Sequence, residues 1–110
     1  MTTNSKETVP FNGDLKKMKN SADTIVGVLK SAANPDRLLI LCNLAYGELN
    51  VAQIEEKTQV PQPTLSQQLG MLRKSGVVST RREGKQIFYS IKDRKMHTIL
   101  NTLYQLYCAK

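Results

Sequence analysis

The chain has 110 residues, 40% of them hydrophobic, a net charge of +7 and a pI of about 9.6. That suits one compact domain with one modest core and argues against a disordered chain. No apolar run approaches the roughly 18 residues of a membrane helix, so no membrane partner is expected. The opening MTTNSKETVPFNGD is polar and lacks the apolar stretch of a secretion signal. The expected compartment is the cytoplasm, where a disulfide is conditional rather than structural.

Residues 1–13 read as a flexible N-terminal arm and residues 14–110 as one folded domain. Leu15, Met18, Ala22, Ile25 and Leu29 recur at intervals of three and four, a heptad-like stripe on a first helix that Ser31 to Asn34 interrupts. Asn34-Pro35 opens a second helix, because asparagine caps and proline is tolerated at the first helical position. Leu38, Leu41 or Cys42, and Ala45 form its inner face, and Gly47 ends it. Asn50 caps a short third helix with Val51 and Ile54 inward and Glu55, Glu56 and Lys57 outward. A turn from Val60 to Gln62 leads into a fourth helix, from about Gln62 or Pro63 to Lys74, which Gly76 stops.

The period then changes. VVSTRR and QIFYSI are rich in β-branched and aromatic residues, and Glu83-Gly84-Lys85 joins them as a hairpin. Asp93 caps a last helix striped by Met96, Leu100, Leu103 and Tyr107. The fold expected is mainly α with a small β-hairpin wing: four helices, two strands and a fifth helix, a winged helix-turn-helix.

The charge is uneven. From Arg73 to Lys95 eight bases face two acids, Glu83 and Asp93, whereas Gly47 to Thr58 is acidic. A basic block on a folded chain suggests a polyanion partner, although a solvated face has the same composition. On the fourth helix Leu65, Leu69 and Leu72 share a narrow arc and face the core. The opposite side carries Gln67, Gly70 and Lys74, with Thr64, Ser66, Gln68 and Met71 on the flanks. Glutamine offers paired donor and acceptor groups to an adenine edge in the major groove, and hydroxyls suit phosphates or bases. The expected contacts with double-stranded DNA are therefore Gln62, Thr64, Ser66, Gln67, Gln68 and Lys74, with Arg81, Arg82 and Lys85 at the hairpin tip. Gln86 is a weaker candidate, and arginines on an edge strand also deter sheet-to-sheet pairing. The stripes of the first and last helices are longer than a small core requires. A homodimer through these two helices would set the reading helices about 34 Å apart on an inverted repeat.

ANPDRLLILCNL, followed by VPQPTLSQQLGMLRKSGVVSTRREGKQIFYSI, resembles the ArsR/SmtB family of repressors, over about residues 20 to 108. The resemblance implies a five-helix winged dimer that an inducer releases from operator DNA. Metal sensors of the family carry a thiolate pair in the third helix, where this chain has Asn50 and Ala52. Others use the last helix, where Asp93 is followed by Lys95, and Leu106 and Ala109 stand in for the later ligands. A zinc site needs about four ligands at sensible spacing. Two distant cysteines and one histidine, His97, do not provide them, so neither a metal nor a cofactor is expected.

The two cysteines, Cys42 and Cys108, instead resemble the pair in the persulfide-responsive BigR/SqrR branch. That resemblance implies redox sensing: reactive sulfur species, the inducer, link the two sulfurs as a disulfide or polysulfide, weaken DNA binding and derepress sulfide detoxification genes. The residues alone leave the matter open. Cysteine is among the most buried residue types, and Cys42, mid-helix among leucines, should have a raised pKa. Alternatives are a metal-sensing repressor of the same family and an architectural DNA-binding protein without an inducer. An enzyme is not expected: no Ser/His/Asp set, phosphate loop or Cys-x-x-Cys is present.

Overall fold

The computed structural model describes residues 13–109. The expected arm, residues 1–13, lies outside them except for Gly13. Five helices and three short strands follow one another: α1 (Leu15–Ala32), α2 (Pro35–Leu44), β1 (Leu49–Asn50), α3 (Val51–Thr58), α4 (Thr64–Ser75), β2 (Val78–Glu83), β3 (Gln86–Ile91) and α5 (Arg94–Tyr107). This is the mainly helical, winged helix-turn-helix arrangement expected from the residues.

The helix starts are set locally. The Asn34 side chain accepts from the backbone N–H groups of Asp36 and Arg37, with Pro35 behind it at the first helical position. Such a cap is worth about 1 kcal/mol. Asn50 and Gln53 form a reciprocal capping box at the head of α3. The Asp93 carboxylate accepts from the Lys95 N–H at the head of α5. α4 ends at Gly76, whose φ of +79° is open to glycine at no steric cost.

β2 and β3 pair antiparallel with Glu83 opposite Gln86, so only Gly84 and Lys85 form the turn. Gly84 has φ +64° and is the first of the two turn residues, the position a type II′ hairpin reserves for glycine. The structure adds β1, which pairs with the other edge of β3, Leu49 opposite Tyr89 and Asn50 opposite Phe88. A strand of two residues has no alternation to betray it, and here the pairing comes from the sheet rather than from local propensity. It anchors the wing to the start of α3.

The core gathers Ile40, Leu41 and Leu44 from α2, Ile54 from α3, Leu65, Leu69 and Leu72 from α4, Tyr89 from β3, and Met96 and Leu100 from α5. The inward arc expected for α4 is thus observed. α1 behaves differently: among its residues Ser31 is the buried one. Its apolar stripe stays open, with Leu15 at 70% and Leu29 at 55% exposure, and the end of α5 matches it with Leu106 at 70% and Tyr107 at 81%. The expected α5 stripe therefore divides. Met96 and Leu100 close the core, Leu103 is half-buried, and Tyr107 faces out.

Candidate nucleic-acid interface and thiol pair

With three leucines turned inward, α4 presents Ser66, Gln67 and Lys74 to solvent, while Thr64 and Gln68 are half-buried. Gln62, just before the helix, is exposed, and its side-chain oxygen accepts from the Ser66 hydroxyl at 2.6 Å. The amide donors of Gln62 are left for another partner. Gln67, Gly70, Met71, Arg73 and Lys74 border a shallow depression along the outer face. Arg73, the first residue of the basic block, joins this exposed face without being among the expected contacts.

Gln68 is half-buried on the flank of α4, where its spacing puts it, but it is not free. Its side-chain oxygen accepts from Arg37 Nη1 at 2.9 Å, so it is tied to α2 rather than free on the outer face. Arg37 had no expected role. The contact joins residues far apart in sequence, and no local pattern announces it.

The hairpin also corrects one expectation. Arg81 is not at the tip. It lies opposite Phe88, its guanidinium 4.7 Å from the ring centroid. It pairs with both carboxylate oxygens of Glu48 at 2.8 Å and with Glu83 at 2.9 Å. The hydrogen bond from Arg81 holds the Glu48 carboxyl below its usual range, and the Arg81 guanidinium is correspondingly harder to deprotonate. Strand alternation explains the placement: Arg81 shares a face with Phe88, and Arg82, opposite Ile87, takes the other. Arg82 and Lys85 are exposed and make no ion pair among the described residues. Gln86 is engaged, accepting from the Asn50 side-chain amide at 2.9 Å.

The two cysteines are free thiols, Cys42 half-buried on α2 and Cys108 exposed at the C-cap of α5. Cys42 opens on a cavity of about 410 Å³ between the two helices, bordered by Tyr46 and by His97, Asn101 and Tyr104 of α5. Those α5 residues follow at intervals of four and three, and Cys108 continues the row four residues after Tyr104, to whose carbonyl its N–H donates at 2.8 Å. One face of α5 thus leads from the Cys42 cavity to Cys108. Burial raises the Cys42 thiol pKa, as its place among leucines suggests, and negative charge on Cys108 adds to the rise.

Among the described residues, no group of three or more His, Cys, Asp or Glu could hold a metal ion, and no helix is long and apolar enough to cross a membrane.

Residues 34–80 match the model of the "bacterial regulatory protein, arsR family". A "biofilm growth-associated repressor" from Agrobacterium fabrum is 46% identical over 86% of this chain and 81% of its own length. The crystal structure of the transcriptional repressor BigR from Xylella fastidiosa superposes with a TM-score of 0.83, at 43% identity, over 87% of this chain and 98% of that one. A homodimeric winged helix-turn-helix DNA-binding domain, Mb0332 from Mycobacterium bovis, is 30% identical with a TM-score of 0.70, over 87% of this chain and 89% of that one.

Proposed function

The chain belongs to the arsR family of bacterial regulatory proteins, and on that basis we propose that it is a dimeric transcriptional repressor switched by reactive sulfur species. In the reduced state two copies bind an inverted-repeat operator. Each places the outer face of α4 in a major groove, with Gln62, Thr64, Ser66, Gln67 and Lys74 toward bases and phosphates. Gln68 adds at most its amide donors, since Arg37 takes its oxygen. Arg73 joins the phosphate contacts, and Arg82 and Lys85 of the wing supply the remaining charge. Arg81 contributes less, because Glu48 and Glu83 already balance it. The open stripes of α1 and of the end of α5 are the surfaces that would meet in the dimer.

The switch is thiol chemistry. A persulfide, RSSH, gives its outer sulfur to one cysteine thiolate and leaves as the thiol RSH. The thiolate of the other cysteine attacks the inner sulfur of the new Cys–SSH, closes a Cys42–Cys108 disulfide and expels hydrosulfide, which carries away the two electrons. When both cysteines are persulfidated first, closure retains one sulfur as a trisulfide. Cys108 is the exposed partner, and Cys42 is the one held protonated by burial. The link ties α2, which leads into the helix-turn-helix, to the helix of the dimer seam. It thereby fixes a spacing of the two reading helices that mismatches the operator. The genes released are those for sulfide detoxification.

The observation that supports this reading most strongly is that Cys42 opens on a cavity walled by the α5 face that ends in Cys108. The test compares Cys42→Ser and Cys108→Ser with the wild type. Reduced proteins should bind alike a duplex selected by the wild type from a random library. Only the wild type should let go when an organic persulfide is added. Release from either single variant contradicts the two-thiol switch.

A further inference from the structure

Arg37 joins three helices through one guanidinium. From the first turn of α2, its Nε donates to the Ser31 carbonyl at 2.9 Å and its Nη2 to the Lys30 carbonyl at 3.1 Å, both in the last turn of α1. Its Nη1 donates to Gln68 Oε1 at 2.9 Å on α4 and also reaches Met71 Sδ at 3.5 Å. The last carbonyls of a helix lack partners within it, and a cation there also meets the negative end of the helix dipole. Arg37 brings donors and a positive charge to the end of α1, where the Ala33 N–H also reaches the Lys30 carbonyl, and its Nη1 donates to α4.

We propose that Arg37 is a positioning residue for DNA recognition: it fixes the angle of α4 against the end of α1, and through α1 against the seam. This rests on the reading of α4 as the DNA-contacting helix. The planar fork of arginine spans two carbonyls and an amide oxygen at once, whereas lysine has a single nitrogen and cannot reach all three in this geometry. Gln68 is the α4 end of the joint. Its polar side chain, set on the flank of the reading helix, orients the helix before it meets a base.

The test is a double-mutant cycle on the reduced full-length protein with Arg37→Lys, Gln68→Ala and the pair. Each is titrated with the duplex that the wild type selects from a random library, and with an unselected duplex. The joint predicts that each single change weakens the selected complex about tenfold, within the range for a hydrogen bond to a charged group. The double variant should lose little more than the weaker single. Binding to the unselected duplex, which depends on phosphate contacts, should stay near wild type. α4 amides should exchange faster in both single variants. Additive losses, equal weakening on both duplexes, or unchanged binding overturns the inference. If Arg37→Lys does not fold, Gln68→Ala decides alone: unchanged affinity for the selected duplex, or unchanged α4 exchange, overturns it. A wild type that enriches no duplex removes the DNA reading, and the inference with it. A wild type that enriches one while the cycle is additive removes the inference only.

Discussion

Cys42 lies on the second helix and Cys108 at the end of the last, yet negative charge on Cys108 adds to the burial that disfavours ionisation of Cys42. The α5 face that ends in Cys108 also borders the cavity onto which Cys42 opens. That arrangement gives one thiol ready access and shelters the other, a division of labour suited to capture of sulfur followed by closure.

Thiol reactivity should follow from it. At a given pH the Cys42 thiolate fraction is lower than that of a free cysteine, whose pKa is about 8.5, because both causes raise its pKa. The rate of Cys42 alkylation by iodoacetamide should therefore rise with a midpoint above that value. In Cys108→Ser the midpoint should fall but stay above that of a free cysteine, since burial is the larger cause and remains. Peptide mass analysis of alkylation across pH gives the midpoint, and one at or below that of free cysteine contradicts the sheltered placement.

The charges of the wing make separable predictions. Arg82→Ala should lower the slope of log affinity against log salt by about one, the signature of one lost phosphate contact. Arg81→Ala should change it less, because two carboxylates already balance that charge. Glu48→Gln should raise affinity for unselected DNA by unmasking Arg81. Salt titrations by fluorescence anisotropy measure all three, and equal slopes for the two arginine variants would show that the ion pairs do not hold in solution.

The open stripes should behave as an interface. Leu29→Glu and Leu106→Glu put a charge on surfaces already in solvent, so each monomer should keep its helical circular dichroism. Sedimentation should then show monomers where the wild type sediments as a dimer. Operator affinity should fall by at least tenfold, since one reading helix would have to bind alone. Variants that remain dimeric place the seam elsewhere.

The core of the reading helix should tolerate little. Leu69→Ala removes a buried side chain between α4 and its neighbours and should cost about 2–5 kcal/mol in urea unfolding. Gln67→Ala, on the exposed side, should leave stability near wild type and weaken the selected DNA complex. The reverse pattern would mean that the helix is turned the other way.

Much of this was legible in the residues because it is local. Asn34-Pro35, Asn50 and Asp93 each announce a helix start locally. Leu65, Leu69 and Leu72 declare which side of α4 is buried by spacing alone. What depended on distant partners was hidden. β1 exists because β3 offers it an edge, Gln68 is occupied because Arg37 reaches it from α2, and Arg81 is neutralised by Glu48 across the sheet. The residues suggest a three-residue join, Glu83 to Lys85, whereas Glu83 pairs with Gln86 and Arg81 pairs mid-strand with Phe88. The cavity that Cys42 shares with α5 is of the same non-local kind, and only resemblance to a known branch pointed to the two cysteines as a pair.

The most direct measurement pairs intact mass with DNA binding on the same sample after treatment with an organic persulfide. The expected product is intramolecular, two hydrogens lighter or carrying added bridging sulfur, and its tryptic map joins the Cys42 and Cys108 peptides. Its affinity for the selected duplex should be 5- to 150-fold weaker, about the range of a typical allosteric coupling, and a reductant should restore it. A linked product that binds as tightly as the reduced protein, or release from DNA with both thiols still free, would contradict the two-thiol switch.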